Sequence, residues 1–587
     1  MKNKVGFILL SILLTVALAG CSGGKTEEVK SSAESSTSEP TKGEVEEKPP
    51  VKLKIAAFTL NSVPNGIAQD PVSKYIEDKF GITMDITSVG GGDDWPQKLN
   101  ALIASNDLPD IFLVTDPVKQ IPQMIKAGQI RQLDDLLEKH GKNIVSDNSG
   151  KAMVELNKQY STDGKLYTIG MNRGTYDIGT QQLAGHFIRW DLYKQLGYPK
   201  LENFDTDLLN VLQQMQNAEP TTKDGKKVYA LGGWFADGQG WGDWTLVSPL
   251  AFAEGIVGIS GGDKLAVADI LNNTISPNNM LTDENGLFWR GLKFYNQANR
   301  MGILDPDSFS QKADIYEDKL KAGRYLYTGI GWDVDLVNRG FEEAGMPDKG
   351  MVALPALNSD TYTLMNMLPA GEAKYAISAN CKYPERAMEL LDFLASYEGS
   401  RIVWNGPEGV NWTMENGKPT PTDEFLARGG EDEFKKETGA GVFHHFVGFA
   451  SATIDPTTNT PVNLYEWSDK AIEKKIKPVH KDMLAHYGKE TLRDLYTSNV
   501  KAYKANSLFN LGELPDDLKT YDTNLQAYIY KNEFKLISAK DDDEFNKLKD
   551  EFIKGLDQFK MDEIFAYWKA KAEESSVQMA PIYDLLK

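Results

Sequence analysis

Between residues 51 and 127 strand and helix signals alternate in a fixed order, and that alternation constrains the fold more than any other feature of the chain. Residues 53–58 are a short apolar run behind lysines. Asp70-Pro71 then opens a helical pattern over 72–80, because a proline's fixed φ suits the first helical turn and an aspartate before it accepts hydrogen bonds from the free N–H groups. Residues 82–88 alternate with β-branched side chains, as a half-buried strand does. Leu99, Leu102 and Ile103 recur at helical spacing across 95–104, residues 111–114 are a buried-strand run, and Asp116-Pro117 caps a helix over 118–127. Strands joined through helices return in the same direction, so a β-α-β-α-β order predicts an α/β fold with a parallel sheet and ligand chemistry beyond the carboxyl ends of its strands.

The remainder reads differently. Helical patterns over 190–196, 208–216 and 287–301 are cut by Gly, Pro and Asn clusters. Behind Tyr383-Pro384, Ala387, Leu390, Leu391 and Leu394 form one apolar stripe over 385–397. Phe545, Leu548, Phe552 and Leu556 repeat the pattern, followed by an amphipathic series over 565–571, so the C-terminal part is expected to be helix-rich. A chain of 587 residues, 41% of them hydrophobic, fills at least two cores of ordinary domain size. Its only cysteines are Cys21 and Cys381, which leaves no disulfide framework in the folded part and makes Cys381 a small buried hydrophobe by expectation. The formal net charge of −20 opposes binding to nucleic acid or to an anionic membrane surface, although a local cationic cleft could still take an anionic ligand.

At the N-terminus, Met1-Lys2-Asn3-Lys4 precedes an apolar run over 5–18 that closes on Leu18-Ala19-Gly20-Cys21. A run of about 14 residues is too short for a permanent bilayer-spanning helix and fits the h-region of a cleaved signal. The pattern is that of a lipoprotein signal over residues 1–20. Cleavage leaves Cys21 first, with a thiolate able to take a diacylglyceryl group. Residues 21–50 are mostly Ser, Glu, Lys, Thr and Pro without an aromatic residue, the composition of a flexible tether with a root-mean-square reach of about 30 Å. The expected location is the extracytoplasmic face of a bacterial cell membrane, held there by lipid on Cys21.

Five strings stand in order between about residues 51 and 580: Ser105-Asn106-Asp107-Leu108-Pro109-Asp110-Ile111, Ile188-Arg189-Trp190-Asp191-Leu192-Tyr193-Lys194-Gln195-Leu196-Gly197, Pro384-Glu385-Arg386-Ala387-Met388-Glu389-Leu390-Leu391-Asp392-Phe393, Glu408-Gly409-Val410-Asn411-Trp412 and Phe552-Ile553-Lys554-Gly555. Together they resemble the extracellular solute-binding lipoproteins of bacterial carbohydrate ABC importers, the family 1 type in its large lipoprotein subgroup; the first looks like that family's SGDLPDI turn with asparagine for glycine. The resemblance implies a two-lobed periplasmic-binding-protein-like fold of type II, with hinge strands and a cleft that closes on an oligosaccharide. It implies a first lobe over 51–175 and about 320–385, and a second over 176–319 and about 386–587 whose C-terminal helices partly return to the first. The implied partners are the permease subunits, the protein acts as a monomer, and no cofactor is called for.

A carbohydrate cleft needs aromatic platforms beside side chains that bond neighbouring hydroxyls. The densest such neighbourhood is 232–244, where Trp234, Trp241, Asp243 and Trp244 share a glycine-rich loop, the alternative being that some of these tryptophans pack the core. Trp332 with Asp333, Glu408 with Trp412, Arg173 with Tyr176, and Trp95 behind a glycine run are the other candidates, each with a plain turn or packing role as its alternative. His444-His445 lacks the further ligands a metal site needs, and Asp283-Glu284-Asn285-Gly286 lacks the glutamate of a calcium loop. The lysines of 470–481 read as a solvated face, and no P-loop, G-x-S-x-G, H-E-x-x-H or C-x-x-C string is present. The competing functions are a surface glycoside hydrolase, which needs two carboxyl groups about 5–10 Å apart, and a peptide receptor of the same importer type. An open β-α-β-α-β lobe opposes the hydrolase, and no catalytic residue is assigned.

Overall fold

The helix starts form where the capping residues stand. Asp70 accepts from the N–H groups of Val72 and Ser73 at 3.0 Å and starts the helix Pro71–Phe80, which Gly81 ends in the left-handed conformation at φ 62°. Asp116 caps Pro117–Lys126 in the same way through Lys119 N–H, and Trp95–Ser105 forms between them. The computed structural model describes residues 48–59, 65–89, 95–174, 184–236, 241–254, 256–260, 265–269, 274–275, 278–354, 362–363, 370–497, 500–501 and 511–586. The expected signal peptide and the tether up to residue 47, with Cys21, lie outside these residues, and Pro49–Lys587 forms one compact unit.

Eight strands organise that unit. β1 (Val51–Phe58), β2 (Ile82–Val89), β3 (Ile111–Val114) and β4 (Thr168–Met171) run in one direction; β5 (Ala184–Arg189), β6 (Tyr327–Ile330) and β7 (Met351–Ala353) follow; β8 (Ala373–Ile377) comes last. The first sheet has the order β2-β1-β3-β8-β4, with Gly66–Ile67 along the free edge of β2. β1 pairs in parallel with β2 and β3, whereas β8 lies antiparallel between β3 and β4. The second sheet, β6-β5-β7, is antiparallel throughout. The chain therefore leaves the first sheet after β4, builds the second, and returns through β8.

Two apolar cores follow the two sheets. Leu53, Ile55, Leu99, Phe112, Ile169 and Tyr375 belong to the first, and Phe187, Trp190, Leu212, Phe288, Leu326 and Val352 to the second. The lobes divide differently from the sequence expectation in two places. Residues 320–354, expected in the first lobe, supply Leu326, Tyr327 and Val352 to the second core, because β6 and β7 flank β5 there. Residues 386–464, expected in the second lobe, supply Leu390, Leu391, Leu394, Phe446 and Leu464 to the first. The cause is the helix Pro384–Leu394: its apolar stripe is covered by the first lobe, and its polar Asp392 accepts from the N–H groups of Asn143 and Ile144 at 2.7 and 3.0 Å.

The chain crosses again between Leu464 and Val479, after which Val479, Met483, Leu495, Leu514, Leu525, Phe552 and Ile564 pack in the second core. The last helix, Met561–Leu586, touches both cores, the second through Ile564 and the first through Met579 and Ile582. Cys381 is buried in the first core, and burial pushes its thiol up to about 12. No helix among the described residues is long and apolar enough to cross a membrane.

Candidate functional site

The first crossing leaves and the second re-enters the first sheet at the same edge, the carboxyl ends of its parallel strands, where ligands of open α/β sheets bind. Asn172 stands directly after β4 and Glu372 directly before β8. Asn172 adopts φ 57°, a left-handed conformation that asparagine tolerates better than most residues. Next to Glu372, Gly371 has φ 79°, and a Cβ there would come within 2.6 Å of the carbonyl carbon of Gly170, so the returning chain needs glycine to pass β4. The first crossing is pinned to a later loop: Asn172 N–H donates to Val447 O, Arg173 N–H to Gly448 O, and Ala450 N–H to Arg173 O.

That loop brings His444 and His445 to the end of β1. The Phe58 ring lies 5.2 Å from the His444 ring and 4.5 Å from the His445 ring. Tyr375 on β8 ties them together: its hydroxyl accepts from Phe58 N–H at 3.2 Å and donates to His445 O at 3.3 Å. Asn172 Nδ2 donates to Glu372 Oε2 at 2.5 Å, and His445 Nδ1 lies 3.1 Å from the same oxygen. Burial works to raise the Glu372 pKa, but the bonds from His445 and Asn172 outweigh it and hold the carboxyl below the usual range. Burial also pushes the Lys374 amine down to about 8 and His444 down to about 4. Among the described residues no group of three or more His, Cys, Asp or Glu side chains could hold a metal ion.

On the second lobe the corresponding edge is the end of β6, which runs into the helix Gly331–Glu343. A cavity of about 510 Å³ lies between this helix, with Phe187 of β5 and Val352 of β7, and the first-lobe segment carrying Leu426, Tyr465 and Trp467. Its volume falls within the ordinary range for small-molecule sites, about 300–1,000 Å³. Asp335, Asn338, Arg339 and Glu342 line it from the helix, as their spacing on one face requires. Opposite them, Tyr465 and Trp467 are half-buried, and Trp467 donates from Nε1 to Ser451 Oγ at 3.0 Å. Lys475 Nζ sits 5.4 Å from the Trp467 ring, and Lys477 pairs with Glu342 at 2.6 Å. The wall thus combines aromatic faces with charged and amide groups, the mixture that a polyhydroxylated ligand requires.

The model match that decides the family covers residues 63–400, more than half of the chain: it is the model of the bacterial extracellular solute-binding proteins. The chain belongs to that family. Solved structures of solute-binding proteins agree in fold. An extracellular solute-binding protein from Bifidobacterium longum subsp. infantis is 14% identical, with 90% of this chain and 99% of that chain covered at a TM-score of 0.61. The S. pneumoniae ABC-transporter substrate-binding protein FusA, in complex with kestose, is 17% identical over 90% and 100% of the two chains at 0.58. The alginate-binding protein AlgQ2 is 17% identical over 89% and 98% at 0.55. At such identities the likeness is one of fold, the two-lobed periplasmic-binding-protein-like fold of type II. A comparison with curated proteins finds no match.

In this solute-binding protein the residues singled out from sequence take different places. Trp332, 40% exposed, stands at the start of the helix that lines the cavity, three residues before Asp335 and so on the same face. Its neighbour Asp333 is buried, accepting from Thr328 Oγ1 at 2.9 Å, and burial pushes its carboxyl up to about 7. Glu408 is exposed in the turn before the hairpin of Trp412–Glu415 and Lys418–Pro421. Four candidates are packed in the interior. Trp95 donates to Leu113 O at 3.0 Å, Trp412 donates to Gly406 O at 2.9 Å, and Trp234 lies 4.5 Å from the Tyr316 ring. Arg173 is fully enclosed 4.3 Å over the Phe449 ring, so its role is to hold the first crossing against the loop. Trp241, Asp243 and Trp244 begin the helix Trp241–Glu254, with side chains outside the described residues, as is Tyr176.

The sequence does not single out Glu372, Tyr465 or Trp467; Asn172 stands only as the neighbour of the candidate Arg173 in the string 171–176, and His445 only as half of the His444-His445 pair. Their common signal is position: each adjoins a chain crossing or a loop that the crossing pins, which only the fold displays.

Proposed function

We infer that this protein is the lipid-anchored receptor of an ABC importer, capturing an oligosaccharide between its lobes and delivering it to the permease. The observation that carries this reading is the 510 Å³ cavity between the lobes, with Tyr465 and Trp467 on one wall and a polar helix face on the other. The neighbours that share the fold support it by their named ligands, kestose for FusA and alginate for AlgQ2. A carrier must release its cargo, so what it needs is a closed state that the ligand favours over the open one rather than a reactive centre. Lipid on Cys21 and the tether of residues 21–50 keep the monomeric receptor on the extracytoplasmic face, within about 30 Å of its anchor. Confinement of this kind raises the effective concentration at the permease without new contacts.

The test is a thermal-shift screen of the Pro49–Lys587 unit, which contains every described core residue, against neutral oligosaccharides, acidic oligosaccharides and peptides. A bound ligand at a hundredfold its Kd stabilises by about 2.7 kcal/mol, a rise of roughly 2–3 °C for a unit of this size. The expected result is a rise with one oligosaccharide class and no new reducing ends. Stabilisation by peptides alone, or accumulation of reducing ends, would refute the reading.

A further inference from the structure

Asn172 is only 4% exposed, yet its Oδ1 has no hydrogen-bond partner. The amide cannot be turned to remove this vacancy, because Nδ2 faces the Glu372 carboxylate at 2.5 Å and must be the donor there. Both contacts to Glu372, from Asn172 and from His445, fall on Oε2. The Glu372 side chain is 45% exposed and that of His445 23%, so these two are open to a ligand while Asn172 stands enclosed behind them. The nearby cation spends its hydrogen bonds on the chain: Lys374 Nζ donates to the backbone carbonyls of Gly371 and Glu372. An exposed carboxylate therefore lies against His445, whose ring is 4.5 Å from the apolar Phe58 ring, and Tyr375 fixes the ends of that arrangement.

We propose that Asn172, Glu372 and His445 form a subsite for a neutral sugar unit, one of whose hydroxyls donates to the Glu372 carboxylate that Asn172 and His445 hold in place, and whose CH face rests on Phe58. This deepens the oligosaccharide reading and rests on it. A uronate or phosphate would bring its negative charge against Glu372 and would be disfavoured here. The position also gives the subsite a mechanical role. Asn172 is the first residue of the crossing that leaves β4 and Glu372 the last of the crossing that enters β8. Asn172 Nδ2 already ties Glu372 to the first crossing, so a sugar bonded to Glu372 bears on both hinge peptides and favours one arrangement of the lobes, which is the differential affinity closure requires. Asn172 N–H to Val447 O and Arg173 N–H to Gly448 O carry the same constraint to the histidine loop.

The experiment uses the Pro49–Lys587 unit, a thermal-shift array of gluco-, galacto-, manno- and fructo-oligosaccharides with uronate oligomers beside them, and calorimetry of the strongest binder on wild type, Glu372→Gln and His445→Gln. The expected result is a binder with a neutral sugar unit, affinity reduced at least tenfold by Glu372→Gln and about fivefold by His445→Gln, and unliganded melting temperatures within about 2 °C of wild type, since neither side chain is enclosed. Wild-type affinity in both variants, or binding confined to uronate oligomers, overturns the subsite and leaves the receptor reading standing. A wild type that no oligosaccharide stabilises overturns both.

Discussion

Replacing Asp333 with asparagine stabilises the protein at pH 8 and hardly at all at pH 4. Burial at the start of the helix Gly331–Glu343 is the main reason its carboxyl is pushed up from 3.8 to about 7; the bond from Thr328 works the other way, and Glu317 adds repulsion. In the unfolded chain the group ionises near 3.8, so between that pH and about 7 the folded state holds a proton that the unfolded state has lost. Stability must then fall as pH rises through this window and level off above it. A shift of about three pH units corresponds to about 4 kcal/mol of stability forgone at pH 8. Asparagine has nearly the same shape, keeps an oxygen to accept from Thr328 Oγ1, and carries no ionisation cost. For a unit of roughly 540 residues the unfolding entropy is about 1.1 kcal/mol/K, so the gain reads as a rise of about 4 °C. Scanning calorimetry of wild type and Asp333→Asn at pH 4, 6 and 8 measures it directly. An equal gain at pH 4 and pH 8, or none at pH 8, would show that burial of this carboxyl does not set its ionisation.

Three further outcomes follow from the same structure. Trp332→Ala removes an exposed ring from the face that lines the cavity; affinity for the oligosaccharide found by screening should fall about fivefold or more by calorimetry, with the unliganded melting temperature unchanged within about 2 °C. Leu391→Ala empties a fully buried site in the stripe that fastens Pro384–Leu394 to the first lobe, and should cost about 2–5 kcal/mol in denaturant titration. Cys21→Ala in the producing cell should abolish metabolic labelling with a fatty acid and move the protein out of the membrane fraction, whereas unchanged labelling would exclude Cys21 as the lipid site.

Periodicity and caps report which face of an element is buried, and here they did so well: Asp70 and Asp116 start their helices, and Ala387, Leu390, Leu391 and Leu394 are all buried. They carry no information about which body covers that face. The helix Pro384–Leu394 could have packed on either lobe; what decides is long-range, namely that Asp392 meets the backbone of Asn143 and Ile144, some 250 residues earlier. The same limit governs the site. A tryptophan among glycines looks alike in sequence whether its ring faces water, as Trp332 does, or packs against Tyr316, as Trp234 does. Composition therefore names the residue types and does not say which of them face solvent. The polar residues nearest the hinge have no local signature at all, because Asn172, Glu372 and His445 come from three segments and meet only when β8 inserts between β3 and β4 and the histidine loop pairs with the first crossing. A two-lobed receptor should behave this way. On the proposed reading its ligand touches both bodies to hold them closed, so part of the site is drawn from the crossings, where contiguous sequence ends and the topology of the fold takes over.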